Sequence, residues 1–233
     1  MSTDFAGRNV VVTGGTGELG EAVARLLLRL GATVYLPVRS PEKARAMYAG
    51  AEGSVRVAVV ADLADDDAVS AFYANLPPLW ASVHCAGGFA MSRIDETALA
   101  DFSKMLDMNS VPAFLCSREA VKAMRGRGGR IVNVAATAAI EPRRGAGMVA
   151  YAASKAAVAA ITLALAEEVA GEGICVNAVV PSIMDTEANR KAMPKADHAK
   201  WPKLDDVAAT IAFLASPQNA VTRAALVPVY GKS

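Results

Sequence analysis

Short apolar runs recur along the chain: NVVVT (9–13), ATVYLPV (32–38), VRVAVVA (55–61), WASVHCA (80–86), RIVNVAA (130–136), ICVNAVV (174–180) and ALVPVY (225–230). Several are apolar almost throughout, the pattern of strands covered on both faces. Between them lie longer helix-like segments, at about 18–30, 65–75, 98–125, 151–170 and 204–215. Strands alternating with helices predict an α/β fold, a parallel seven-stranded sheet with helices on both faces. No repeat or low-complexity linker divides the chain, so residues 1–233 read as a single domain.

The breaks in the pattern are informative. RGRGG (125–129) reads as a glycine-rich helix end leading into the fifth strand, and PRRGAG (142–147) as an exposed loop. Segment 181–203, PSIMDTEANRKAMPKADHAKWPK, is polar and proline-punctuated and follows the sixth strand. Ligands of open α/β sheets sit outside the carboxyl ends of the strands, so this segment is expected to form a substrate lid.

Composition narrows the class. With 53% apolar residues and a net charge of +1, the chain suits a packed core and gives no electrostatic reason to expect nucleic acid or an anionic membrane as partner. The start, MSTDFAGRN, carries Asp4 and lacks the apolar run of a signal peptide. No apolar stretch reads as long enough to span a bilayer. Cys85, Cys116 and Cys175 are odd in number and lack metal-ligand spacing, as do His84 and His198; a reduced, cytoplasmic setting without a metal is expected.

Two local patterns carry chemistry. The first strand runs into TGGTGELG (13–20) and then a helix, with glycines at 14, 17 and 20. Such a turn lets backbone approach a pyrophosphate, and the helix start offers free N–H groups. The second strand ends at Val38, followed by Arg39 and Ser40, with no acid at 36–40. An arginine and a hydroxyl suit a 2′-phosphate where an acid would repel it, so NADP(H) is expected over NAD(H). Asp62, after the third strand, could accept from an adenine amino group or cap the following helix. The second pattern is YAASK (151–155). In a helix Tyr151 and Lys155 share a face, where an ammonium would lower the phenol's pKa and make it a proton donor and acceptor.

These motifs resemble the short-chain dehydrogenase/reductase family over essentially the whole chain. TGGTGELG is similar to its TGxxxGxG turn at Thr13, Gly14 and Gly20, with Glu18 where a glycine is usual; YAASK matches YxxxK. VNAVVPSIMDT (176–186) resembles VNxVxPGxxxT with Ser182 for glycine, and LDDVAATIAFLAS followed by LVPVYG resembles the closing helix and strand. The resemblance implies a Rossmann fold and an NADP(H)-dependent oxidoreductase that reduces a carbonyl or enone, with Tyr151 as acid/base and Lys155 tuning it. It also implies Asn109 holding a relay water, and a homodimer or homotetramer joined through 98–125 and 151–170. Cofactor contacts are implied for Gly14, Thr16, Gly17, Leu19, Arg39, Ser40, Asp62, Leu63, Ala86, Gly87, Tyr151, Lys155, Pro181, Ile183 and Thr186.

Departures bear on the substrate. HCAG (84–87) replaces NNAG, and NVAAT (133–137) puts Ala136 where the family has its catalytic serine, leaving Thr137 as the one nearby hydroxyl. A conjugated ring needs a held carbonyl oxygen less than a ketone does. One branch, dihydropteridine reductase, lacks this serine, and DTEANRKAMPKADHAKW (185–201) is similar to its lid. Reduction of a quinonoid dihydropteridine is therefore the alternative activity. A catalytically inactive NADP(H)-binding sensor or structural subunit is a third reading, favoured by Glu18 and the missing serine and opposed by the intact Tyr–Lys–Asn set.

Overall fold

The computed structural model describes residues 5–233; Asp4 and the three residues before it, the start of the segment weighed above, lie outside them. Seven strands form one parallel sheet in the order β3-β2-β1-β4-β5-β6-β7. They are β1 Asn9–Thr13, β2 Thr33–Val38, β3 Val55–Val59, β4 Leu79–His84, β5 Gly129–Val134, β6 Ile174–Pro181 and β7 Leu226–Val229. The helices are α1 Glu18–Arg29, α2 Pro41–Met47, α3 Asp66–Ala74, α4 Leu99–Met124, α5 Thr137–Ile140, α6 Val149–Glu168, α7 Glu187–Ala192 and α8 Leu204–Ala215.

Strand periodicity sorts the core into two layers. Val10 and Val12 pack with Val23 and Leu27 of α1 and Ile211 of α8. Val11, pointing the other way, packs with Val69 of α3, Leu115 of α4 and Ala166 of α6. All of these are fully or nearly fully buried, so β1 is covered on both sides as its unbroken NVVVT run requires.

Three helices escaped the sequence reading. α5 has four residues, α7 six and α2 seven, too short to show a 3.6-residue period. β3, β4 and β5 each end two residues before the expected boundary, where the chain leaves the sheet for the loops of the crevice.

The expectation on membrane spans needs correction. Among the described residues α6 is long and apolar enough, by length and composition, to cross a membrane; its alanines raise the mean hydropathy despite Lys155. The same helix packs on α4 and β6 with Ser154, Lys155, Val158 and Thr162 buried, so its apolar character also serves the interior of the fold.

Segment 181–203 is folded. Asp185 bridges Lys203, its amide donates to Pro202 O at 3.0 Å, and Arg190 grips its carboxylate at 2.5 and 2.8 Å. Buried Trp201 lies against the His198 ring, tilted at 45°.

Candidate active site

Strand order reverses between β1 and β4, which opens a crevice at their carboxyl ends. Two loops meet there with little room to spare. Gly14 adopts φ +69°, and a Cβ on it would lie 2.7 Å from the Ala86 amide nitrogen. A Cβ on Gly20 would collide with the Gly14 carbonyl oxygen. Ala86 N donates to Thr13 Oγ1 at 3.2 Å, and Tyr48 Oη donates to Gly15 O at 2.6 Å, holding the turn from both sides. Gly17 caps α1 without a side chain, leaving the first-turn N–H groups for a ligand. Leu19 is buried beneath the turn, so its side chain packs inward. Glu18 reaches across instead: its Oε2 accepts from the Glu187 amide at 3.1 Å, joining the start of α1 to the start of α7 in the lid.

Arg39 and Ser40 are exposed at the end of β2, and Arg39 forms no ion pair among the described residues. Lys43, one turn into α2, donates to Thr16 O at 2.9 Å. It adds a second cation to this corner; a lone lysine on an undetected helix gave no sequence signal. Asp62 Oδ1 accepts from Ala64 N at 2.9 Å and orders the turn that carries Leu63. It does not cap α3; Asp65 does, accepting from Ala68 N at 3.0 Å.

Tyr151, Lys155 and Asn109 converge on the loop after β4. Asn109 Oδ1 accepts from Gly88 N at 3.0 Å, and its Nδ2 donates to Gly88 O at 3.1 Å and to Ser154 Oγ at 3.1 Å. Ser154 Oγ in turn donates to Tyr151 O at 2.8 Å. A Cβ on Gly87 would sit 2.6 Å from Asn109 Oδ1 and 3.3 Å from Lys155 Nζ. Glycine here lets both side chains close on the loop. Ser154 is a positioning residue that the YAASK reading passed over.

The electrostatics differ from expectation. Lys155 Nζ donates to Val134 O at 2.8 Å, and burial lowers its pKa to about 8. Burial raises the Tyr151 phenol to about 12. The expected lowering of the phenol by the ammonium is therefore corrected: in this arrangement desolvation dominates and the amine is turned to a carbonyl.

Thr137, the hydroxyl nearest the place of the absent serine, has its proton engaged by backbone. Its Oγ1 donates to Pro181 O at 3.0 Å, tying α5 to the end of β6. Thr186 caps α7, accepting from Asn189 N at 3.1 Å, and Ile183 is exposed at the base of the lid. His84 is a buried structural group: Nε2 meets Ser82 Oγ at 2.8 Å and Nδ1 meets Asn133 Oδ1 at 2.7 Å. Burial lowers its pKa to about 4, so it stays neutral.

A buried lysine whose pKa falls from 10.5 to about 8 destabilises the fold wherever it is charged. The cost is full below pH 8, where both states bind the proton. It fades between 8 and 10.5, where only the unfolded state does, and is absent above. Lys155→Met is therefore expected to stabilise the protein by about 1–2 kcal/mol at pH 7, after the loss of the Val134 hydrogen bond is allowed for. The gain should shrink as pH rises through that window, as thermal unfolding of both forms across pH 7–10.5 will show.

A short chain dehydrogenase family model matches residues 8–197. The chain is 32% identical over 224 residues to 3-oxoacyl-[acyl-carrier-protein] reductase FabG of Rickettsia felis, covering 92% of each chain. It is 34% identical over 195 residues to a 3beta-hydroxysteroid dehydrogenase of Mediterraneibacter gnavus, covering 81% of this chain and 70% of that one. Its fold is similar to that of a Beutenbergia cavernae protein, a candidate NAD(P) dependent gluconate 5-dehydrogenase with NADP bound at low occupancy. That match has a TM-score of 0.89 and 29% identity, over 99% of this chain and 98% of the other. ElxO with NADP bound matches at a TM-score of 0.87 and 25% identity, over 96% and 97% of the two chains.

Proposed function

The chain belongs to the short-chain dehydrogenase family, and on that premise we propose that it is an NADP(H)-dependent reductase of a carbonyl or enone, with Tyr151 as its acid/base group. One observation carries the reading: Asn109, Ser154, Tyr151 and Lys155 are tied into one cluster on Gly87–Gly88, across from the glycine turn in the same crevice.

The crevice suits a dinucleotide. The turn at 14–20 leaves no space for a Cβ at Gly14 or Gly20, and α1 begins without a side-chain cap. Thr16, Gly17 and Leu19 would present backbone to the pyrophosphate, with Arg39, Ser40 and Lys43 at the 2′-phosphate. Asp62 and Leu63 would flank the adenine, Ala86 and Gly87 the floor, and Pro181, Ile183 and Thr186 the nicotinamide end. When bound, the nicotinamide supplies the hydride. Tyr151 delivers the proton to the substrate, Lys155 holds ribose and replenishes that proton, and Asn109 keeps the floor and α6 in register.

Arg39→Asp is expected to weaken NADPH binding by about ten- to a hundredfold while sparing NADH, because it exchanges a charge-assisted contact for a repulsion. Fluorescence titration with each nucleotide measures this. A second reading, reduction of a quinonoid ring, is favoured by Thr137 donating to Pro181 and by Ala136 bringing no hydroxyl. The reading includes a reducing cytoplasm, consistent with three unpaired thiols, and a homo-oligomer joined through α4 and α6, which expose Phe114 and Leu163.

The test is NADPH oxidation against a panel of ketones, enones and quinonoid compounds. Turnover of ketones or enones supports the first reading, and turnover of quinonoid compounds alone supports the second. Tight NADPH binding with no turnover across the panel would instead identify the inactive sensor.

A further inference from the structure

Resting on that reading and extending it to the substrate, we infer that the site takes an uncharged, flat, largely apolar carbonyl or conjugated-ring compound, stacked on Phe89 beside Tyr151. Phe89 lies in the loop after β4, and its ring meets that of Tyr151 edge to face, centroids 4.9 Å apart and planes at 80°. It is nonetheless 58% exposed, an aromatic surface left open against the proton donor. An open phenyl face beside the proposed proton donor is the surface that a flat ligand would cover.

The surroundings extend the same chemistry. Met108 from α4 packs over Gly88, so a Cβ there would collide with its Cε. Met91 is 61% exposed and lies against Gly147, and Ser92 N donates to Gly147 O at 3.0 Å, tying the 89–92 loop to the one that leads into α6. Val149 stands exposed two residues before Tyr151. Thioethers and an aromatic ring adapt to flat apolar ligands.

Charge is scarce and mostly occupied. Residues 86–92, AGGFAMS, carry none. Arg93 pairs with Asp95 at 3.2 Å, and Arg144 with Glu141 at 3.3 Å. Only Arg143 on the loop before α6 is without a partner among the described residues, and it is exposed. On these two loops a carboxylate substrate would find little else to neutralise it.

The reaction balances simply. For a ketone, carbon accepts the hydride pair from NADPH, the C=O π bond breaks, and oxygen takes the Tyr151 proton, giving an alcohol and NADP⁺. For a quinonoid ring, the hydride adds at one end of the conjugated system, a C=N π bond breaks, the electrons shift to the nitrogen at the other end, and that nitrogen takes the Tyr151 proton, giving the dihydro ring and NADP⁺.

The test compares isatin, a flat neutral dione, with ketogluconate, a hydroxylated anion, using wild type, Phe89→Ala and Phe89→Trp. Isatin should show the higher kcat/KM with wild type. Phe89→Ala should lower it about ten- to a hundredfold, chiefly through KM, and Phe89→Trp should restore it. NADPH affinity should be unchanged in all three. Calorimetric binding of isatin to the NADP⁺-loaded protein gives a readout independent of turnover: binding lost in Phe89→Ala and kept in Phe89→Trp supports the stacking site even if no reduction follows. Preference for ketogluconate, or isatin binding indifferent to Phe89, overturns the inference without touching the reductase reading. NADPH binding with no turnover of either compound counts against the reductase reading alone.

Discussion

Tyr151→Phe should lower kcat by about a hundred- to ten-thousandfold, the usual range for loss of a positioned proton donor. NADPH affinity and fold should persist, because the substitution keeps the ring that meets Phe89 and removes only the hydroxyl. Burial holds the phenol at about 12, so near neutrality it carries its proton and is ready to donate. Proton donation accompanies reduction, so the protonated phenol is the form that reduction requires. Oxidation requires the phenolate, and its rate should climb as pH rises toward the phenol's pKa. Stopped-flow NADPH oxidation and a pH profile in both directions provide the check. A variant retaining more than about a tenth of the wild-type rate would exclude Tyr151 as acid/base.

Gly14→Ala should damage both the fold and the crevice. The residue occupies φ +69°, where an L side chain costs about 1–2 kcal/mol. The added Cβ would lie 2.7 Å from Ala86 N and 2.8 Å from Ala86 Cα and Cys85 C. These are backbone atoms of the neighbouring loop and cannot swing aside, so overpacking adds about 1–3 kcal/mol. The sum, about 2–5 kcal/mol, should lower Tm by roughly 5–15 °C in a chain of this size. NADPH binding should fail before the fold does, because relief of the clash parts the two loops that form the crevice. Calorimetry with and without NADPH separates these effects; an unchanged Tm would refute the close approach of the loops.

Local pattern and tertiary contact contributed unequally to the reading. The strands were legible because β1, β5 and β6 are apolar on both faces, and β1 was placed to the residue. The Tyr–Lys pair was legible because its spacing is local to one helix. What escaped depends on partners distant in the chain. Thr137 reads as a spare hydroxyl until the fold brings Pro181 O, 44 residues on, within reach. The sign of the Tyr151 shift depends on burial, which no motif records. Lys43 and Phe89 lie outside the motifs and Ser154 fills an unspecified position of YxxxK; their contacts with Thr16, Tyr151 and Asn109 respectively show only in the fold.

The strand order also separates two tasks. The edge β3-β2-β1 ends in the turns proposed for the dinucleotide, while β4-β5-β6 leads into the proposed proton donor, the aromatic Phe89 and the folded segment 181–203. Residues 88–92 and 187–203 lie outside the contacts proposed for the dinucleotide, so drift there can retarget this scaffold to new metabolites while the proposed coenzyme contacts are inherited intact.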